Sequence, residues 1–207
     1  ALNKKFNDYS NAYLSWGKVF HAPTTDQLYD SGMGGTMPEG NPDLNAETGD
    51  AWTLGYNTKL GEKTDVAVSA YYSDIDNAIT TIMEPYKFVN VNKEKRRGME
   101  ISVNHEFNDY LSGYAPYTYM QIKQDKGLGF EREANEKPNT YRAGLKYAIN
   151  EWTYTADLTA VSGQKIRKFN AYGFNGYTDR NYFVLDLGAQ YKVSDKLKVF
   201  ANVYNLT

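Results

Sequence analysis

The chain has no cysteine and only two histidines, His21 and His105, among its 207 residues. The lack of cysteine excludes disulfide frameworks, thiolate catalysis and cysteine-based metal sites. Two histidines and no phosphate-binding glycine motif leave neither a Ser/His/Asp set nor a histidine-based metal site. We therefore expect a protein that is not an enzyme and that holds neither a metal nor a cofactor.

Long apolar runs and an excess of one charge are missing too. Lysine and arginine number 23 against 25 acidic residues, a formal net charge of −2. Nucleic-acid binders usually carry a basic face, so we expect no nucleic-acid partner. No apolar stretch approaches the roughly 20 residues of a transmembrane helix. The mean hydropathy of −0.66 permits a soluble β protein or a transmembrane β-barrel, because a barrel hides its lipid-facing residues in alternation.

What the sequence does contain is a β-rich composition with a period of two. The 19 tyrosines, 17 glycines and 9 phenylalanines favour strands. Large apolar residues alternate with small or polar ones, as Trp52, Leu54 and Tyr56 do with Thr53 and Gly55. A soluble sandwich would alternate as well. The small residues on the polar face and the aromatic residues at strand ends favour the barrel.

The connections between predicted strands are alternately short and long. Short turns are predicted at 61–63, 108–109, 150–151 and 194–195, and long polar loops at 21–46, 78–85, 125–138 and 163–179. Outer-membrane barrels have this arrangement, with short periplasmic turns and longer outer loops. Pro116 lacks a ladder donor, so we expect a bulge or locally irregular pairing there. The predicted strands are 11–20, 46–60, 64–77, 86–107, 110–124, 139–149, 151–164, 180–192 and 196–207.

The number of predicted strands, about nine, suggests part of a larger structure. Single-chain bacterial barrels use even strand numbers, and a strand edge in lipid cannot stay unpaired. We therefore expect residues 1–207 to form a partial β-barrel domain, all-β and antiparallel, within a larger transmembrane barrel. The charged run 93–97 is expected to extend above the membrane.

Six segments carry a further pattern: 13–23 (YLSWGKVFHAP), 41–47 (NPDLNAE), 71–79, 90–100, 186–189 and 203–206. In this order they resemble the C-terminal half of a TonB-dependent outer-membrane receptor. The resemblance implies a barrel of about 22 strands with a plug in its lumen, in the outer membrane of a Gram-negative-type bacterium. It also implies that the plug, its TonB-coupling segment, the earlier strands and the last strand lie outside this chain.

The function implied by the resemblance is capture and import of a ferric siderophore, energised through TonB. A haem or cobalamin receptor of the same family, a passive porin-type channel, and a soluble adhesion or scaffold module remain alternatives. The expected partners are a ferric chelate or similar small nutrient, TonB through the plug, and outer-membrane lipid and lipopolysaccharide. His21 stands where the family usually has arginine, and residues 22–40 contain no histidine, which weakens the haem alternative.

The loop after Gly163 is the strongest candidate for ligand contact. Its cations and aromatic residues suit anionic, aromatic ferric chelates through charge-assisted hydrogen bonds and cation–π contacts. The alternatives are a loop stabilised by its own aromatic packing, or one that binds lipopolysaccharide phosphates. For His21, a polar residue at a strand exit is the alternative. The candidate ligand-binding residues are Lys165, Arg167, Lys168, Phe169, Tyr172, Phe174, Tyr177, His21 and Tyr29, and the candidate lumen-lining residues are Glu100, Arg142, Lys146 and Asp157.

Overall fold

The computed structural model describes residues 1–125, 127, 129–132, 137–170 and 173–207, which form one sheet of twelve strands. A short helix, α1 (Thr25–Tyr29), and a 3₁₀ turn (Gly32–Gly35) lie between the second and third strands. Within the described part of the chain, no helix is long and apolar enough to cross a membrane. The strands are β1 (Leu2–Asn7), β2 (Ser10–His21), β3 (Glu47–Leu60), β4 (Thr64–Met83), β5 (Tyr86–Glu106), β6 (Leu111–Tyr114), β7 (Tyr117–Asp125), β8 (Phe130–Arg132), β9 (Asn139–Ile149), β10 (Trp152–Asn170), β11 (Gly173–Ser194) and β12 (Leu197–Val203).

The strands form a meander of hairpins in the order β1-β2-β3-β4-β5-β6-β9-β10-β11-β12. β7 follows β6 in the same position between β5 and β9, and β8 pairs with β7. Every pairing along this path is antiparallel. The predicted all-β antiparallel architecture is therefore confirmed.

The strands extend further from the short turns than the sequence predicted. β4 runs to Met83, β10 runs to Asn170, and β11 already begins at Gly173. The predicted loops at 78–85 and 163–179 are therefore mostly paired hairpins, and that prediction is wrong. The reason is that apolar–polar alternation appears only where one face of a strand lies in apolar surroundings, whereas the backbone hydrogen bonds between strands continue beyond that region. For the same reason, the sequence analysis did not predict the polar strands β1 and β8.

The sheet has one apolar face and one polar face, as the alternation predicted. Leu54, on the apolar face, is 57% exposed, so no described part of the chain covers it. Aromatic residues flank the aliphatic ones on this face. Trp16 and Trp52 lie with ring centroids 6.0 Å apart towards the long loops, and Trp152 and Tyr191 lie 4.7 Å apart towards the short turns. Such flanking bands are typical of strands that cross a membrane.

On the polar face, tyrosine rings cover glycines of neighbouring strands. A Cβ atom built on any of these glycines would overlap the ring of the tyrosine beside it. The ring thus fills the space above a residue that has no side chain, a contact that helps to fix strand register. The pairs are Tyr13 over Gly55, Tyr71 over Gly98 and Tyr114 over Gly144.

Pro116 separates β6 from β7 without changing the register. Tyr114 pairs with Asn104 before the break, and Tyr117 pairs with Ile101 after it, in the same alignment. The Arg142 N–H donates to the Pro116 carbonyl at 2.9 Å, but proline has no N–H to return the bond. The predicted irregularity is confirmed, while the bulge we considered is absent at this described position.

The small hydrophobic core lies at the long-loop end of the sheet. Ile75, Ala78 and Val91 are buried there and pack against the partly buried Val19. Asn77, with a φ of 56°, lies between Ile75 and Ala78 in β4. This core joins the loop-end parts of β2, β4 and β5.

Candidate functional site

The β2–β3 loop is bonded to the end of the β4–β5 hairpin. The Glu39 N–H donates to the Tyr86 carbonyl at 2.9 Å, and the Phe88 N–H donates to the Glu39 carbonyl at 3.0 Å. Asn41 Nδ2 donates to the Phe88 carbonyl at 3.1 Å. Helix α1 is closed by a capping box between Thr24 and Gln27. The β2–β3 loop therefore has a defined structure and a defined position on the β4–β5 hairpin.

Asn90 fastens the far end of the same loop. Its Oδ1 accepts a hydrogen bond from the Asn45 N–H at 2.8 Å, and its Nδ2 donates to the Asn45 carbonyl at 3.0 Å. The same amide nitrogen donates to the Asn77 carbonyl at 2.6 Å. The segments 41–47 and 90–100, which the sequence presents separately, meet at this point.

His21 and Glu47 close the base of the loop. His21 Nδ1 lies 3.2 Å from Glu47 Oε2, while Glu47 Oε1 accepts the Ile79 N–H at 2.6 Å. The Glu47 side chain is only 13% exposed. Its two oxygens connect the end of β2, through His21, to β4, through the Ile79 N–H. Tyr29, at the end of α1, is 69% exposed. These contacts give His21 a structural role, and ligand contact by His21 or Tyr29 stays a prediction.

The β10–β11 hairpin contains the other candidate ligand residues. Lys165 pairs with Asp179, and the backbone of Arg167 pairs with Tyr177. The register shifts between Val161 and Gln164, where Gly163 has a φ of 73° and its N–H donates to Asn181 Oδ1 at 2.8 Å. Lys168 is exposed, and Tyr177 is 51% exposed. Phe169 and Phe174 are paired through their backbones, and Tyr172 lies outside the described residues.

The structure does not bring the two groups of candidate ligand residues together along the sheet. His21 ends β2 and Tyr29 follows it, whereas Lys165 and Tyr177 lie in β10 and β11. Between β2 and β10 lie β3, β4, β5, the β6–β7 position and β9. The two groups are thus separate surfaces of the long-loop end.

All four candidate lumen-lining residues lie on the polar face. Register places Glu100 beside Ser69, Arg142 beside Thr159, and Lys146 beside Thr155, and directly paired residues share a face. Asp157 accepts a hydrogen bond from the Tyr114 hydroxyl across β9. The polar face therefore carries both charges and hydroxyls near its centre.

The sequence analysis missed a buried polar network nearer the loops. Glu94 and Gln124 are each only 4% exposed, and Gln124 Nε2 donates to Glu94 Oε2 at 2.6 Å. Arg96 forms a short ion pair with the same carboxylate. The two-residue spacing of Glu94 and Arg96 on one strand could have indicated a shared face. Gln124 could not have been found, because its place depends on the β5–β7 register.

A second missed contact lies on β11. The Arg180 guanidinium carbon lies 5.4 Å from the centre of the Tyr182 ring, a distance at which cation–π attraction acts. Both residues belong to the part of β11 that pairs with β10 around the Gly163 irregularity. Among the described residues, no group of three or more His, Asp or Glu side chains is arranged to hold a metal ion.

Comparison with known proteins identifies the family. The model of the TonB-dependent receptor-like β-barrel matches residues 3–206. The chain belongs to this family. No curated protein matches the sequence, whereas several solved structures resemble its fold.

Three solved structures illustrate the likeness. The copper transporter OprC superposes with a TM-score of 0.79 at 18% identity, covering 99% of this chain and 32% of that protein. The siderophore receptor PirA from Pseudomonas aeruginosa gives 0.74 at 19% identity, covering 99% and 34%. A variant of the ferric enterobactin receptor PfeA from the same organism, in complex with enterobactin, gives 0.75 at 20% identity, covering 99% and 34%. At these identities the likeness is one of fold, and the chain spans about a third of each structure's length.

Membership of this family shows which environment each face of the sheet contacts. The sheet is a segment of a larger transmembrane barrel, as predicted, so its apolar face contacts lipid and its polar face looks into the lumen. TonB-dependent receptors are outer-membrane transport proteins, and the prediction that the chain is not an enzyme is confirmed by its family. The long-loop end of such barrels faces outward and the short-turn end faces the periplasm.

Proposed function

We propose that this chain forms part of the wall of an outer-membrane receptor that captures and imports a ferric siderophore, energised through TonB. The observation that carries the proposal is the β10–β11 hairpin. It carries the cations Lys165, Lys168 and Arg180 and the rings of Tyr177 and Tyr182, and of these Arg180 and Tyr182 lie within cation–π distance while Lys165 lies opposite Asp179. Cations beside aromatic rings suit an anionic chelate with aromatic iron ligands.

The fold comparisons support the same ligand class without fixing the ligand. PirA is a siderophore receptor, and the PfeA variant was determined with enterobactin bound. A ferripyoverdine receptor bound to ferripyoverdine superposes with a TM-score of 0.74 at 18% identity. Those proteins bind these ligands, and for this chain the ligands guide the choice of compounds to test.

The proposed mechanism assigns one step to each level of the structure. The outer hairpins capture the ferric chelate, with the β2–β3 loop held in place by Glu39, Asn41 and Asn90. The lumenal face then guides it past Arg142 and Asp157 towards a plug supplied by the rest of the receptor. Rearrangement of that plug, driven by TonB from the periplasm, completes import. A haem or cobalamin receptor would share these steps, whereas a porin-type channel would need no TonB.

A binding panel on the full-length receptor tests the ligand class. The purified receptor in detergent is titrated with ferric catecholate, ferric hydroxamate and mixed-ligand siderophores, and with haem and cobalamin, while tryptophan fluorescence is recorded. Saturable binding of at least one ferric siderophore, without a Soret shift on adding haem, supports the proposal. Saturable binding of haem or cobalamin alone would replace the ferric siderophore with that ligand.

A further inference from the structure

Glu94 is a buried carboxylate on the lumenal face to which the proposed import steps give no role. It lies on the same strand as Glu100, an even number of residues away, so alternation along β5 places both side chains on one face. Ile75 on one side and Gln124 on the other pair with Glu94, and all three residues are buried. A carboxylate in such surroundings is costly unless its oxygens are bonded. The partners of Glu94 therefore indicate why the fold retains it.

The two oxygens of Glu94 fix the orientation of Arg96. Oε1 accepts a hydrogen bond from Arg96 Nε within an ion pair, and Oε2 accepts one from Gln124 Nε2 at 2.6 Å. Gln124 leaves its own Oε1 buried and without a partner in the described part of the chain. An unsatisfied buried acceptor lowers stability, and local costs of this kind are expected at functional sites. What the network achieves is a guanidinium held in one position.

Arg96 presents its remaining donors to the lumen. Its side chain is 45% exposed, whereas the side chain of Glu94 is 5% exposed. Arg96 Nε binds Glu94, and no other described residue bonds to this guanidinium, so both terminal NH₂ groups are available. A planar guanidinium binds anions through parallel N–H bonds. The exposed edge of Arg96 is therefore a prepared set of donors for an anion in the lumen.

The level of Arg96 along the barrel is the outer mouth of the lumen. Its neighbour Arg97 pairs with Tyr72, and Tyr72 pairs with Trp52 of the loop-end aromatic band. Arg96 thus lies at the level of that band but on the opposite face of the sheet. Arg142 lies closer to the short turns. A ligand that leaves the outer hairpins therefore meets Arg96 before it meets Arg142.

We propose that Arg96 contacts the anionic part of the imported ferric chelate at this mouth, and that Glu94 and Gln124 are positioning residues for Arg96. The inference rests on the proposed function and adds a preference for chelates with a net negative charge over uncharged ones. Glu94 and Arg96 together are neutral, so the preference comes from direction: the carboxylate lies buried behind the guanidinium, and the cationic edge faces the lumen. A guanidinium already held in place loses little side-chain freedom on binding, which raises affinity.

Glu131 provides a matched comparison for Glu94. It lies on β8 directly opposite Gln124, so the two side chains share the lumenal face, but Glu131 is exposed. In the described part of the chain, no hydrogen bond or ion pair joins Glu131 to Arg96. Replacing either glutamate with glutamine removes one negative charge from this face. By Coulomb attraction alone, each change would tighten the binding of an anion, whereas a positioning role predicts weaker binding for the Glu94 variant.

The test titrates the full-length receptor in detergent with a negatively charged ferric catecholate and an uncharged ferric hydroxamate, recording tryptophan fluorescence. R96Q should bind the charged chelate about tenfold more weakly, as expected for lost charge-assisted hydrogen bonds, and the uncharged chelate as the wild type does. E94Q should bind the charged chelate about fivefold more weakly, while E131Q should bind it at least as tightly as the wild type. E94Q/R96Q should be no weaker than R96Q, because Glu94 acts through Arg96.

Several results would overturn the inference and still leave siderophore import in place. They are a wild type that binds only uncharged chelates, an R96Q variant that loses affinity for both chelates equally, and an E94Q variant that binds the charged chelate as tightly as E131Q. Losses in E94Q and R96Q that multiply in the double variant would mean that Glu94 acts independently of Arg96, against the positioning role. Binding of haem or cobalamin alone by the wild type would instead remove the proposed function on which the inference rests.

Discussion

The Tyr114 ring lies over Gly144, and its hydroxyl continues past that glycine to donate a hydrogen bond to Asp157. One side chain on β6 thus reaches across β9 to β10. A Cβ at Gly144 would overlap the ring and would lie 2.7 Å from Asp157 Oδ1. The contact therefore depends on an empty position in the middle strand, and it ties three strands into one register.

Replacing Gly144 with alanine should destabilise the barrel by about 1–3 kcal/mol, because the added methyl group displaces Tyr114 and breaks its bond to Asp157. The midpoint of urea-induced unfolding, followed by tryptophan fluorescence in lipid vesicles, measures the effect. Gly17→Ala is the matched control, since a Cβ at Gly17 meets nothing within 4 Å. Equal midpoints for the two variants would refute the packing role of the tyrosine.

Removing the Glu47 carboxylate should loosen the β2–β3 loop. Glu47→Ala leaves the Ile79 N–H without its acceptor and His21 without its partner, which costs about 1–3 kcal/mol for a part-buried donor. Limited proteolysis within 22–46 should become roughly tenfold faster, since cleavage follows the open population. Asp43→Ala removes a carboxylate from the exposed part of the same loop and serves as control. The role assigned to Glu47 fails if both variants are cut at the wild-type rate.

Replacing Pro116 with alanine should leave the fold intact and stabilise it slightly. The register is the same on both sides of the break, so the new N–H can bond to β9 and add about 0.5–1.5 kcal/mol. The unfolding midpoint of the variant should therefore equal or exceed that of the wild type. A clear loss of stability would contradict this expectation and would mean that the fixed backbone angle of Pro116 itself stabilises the fold.

The lysines of the β10–β11 hairpin should contribute to ligand affinity. The double variant K165Q/K168Q removes two charges that would assist hydrogen bonds to an anionic chelate, and an affinity loss of about tenfold is expected. Titration of the variant with the ferric siderophore that binds the wild type measures this loss. Lys192→Gln, near a short turn, provides the control. An unchanged dissociation constant in K165Q/K168Q would place the capture surface elsewhere.

The sequence contained enough to predict the central part of each long strand and both faces of the sheet. Residues such as Trp52, Leu54 and Tyr56 show a lipid-facing pattern because each is selected by the same apolar surroundings. That pattern ends where a strand leaves the membrane, which is why the outer halves of β10 and β11 were predicted as loops. Strands held mainly by backbone hydrogen bonds leave little trace in composition.

The functional surfaces were less predictable because they depend on register. The contact between Tyr114 and Gly144 joins residues 30 apart in sequence, and the contact of Glu94 with Gln124 is set by β5 lying beside β7. Neither follows from local pattern, since several registers would satisfy the same alternation. His21 shows the converse case, in which a residue noticed as a ligand candidate lies in contact with a structural carboxylate.

Uptake of radioactive iron by cells that depend on this receptor tests the central claim most directly. Cells expressing the full-length receptor are given the ferric siderophore selected by the binding panel, with and without an intact TonB system. The account predicts saturable iron accumulation that is lost on removing TonB and reduced in K165Q/K168Q. Equal uptake without TonB, or no receptor-dependent uptake of any ferric siderophore that binds, would contradict it.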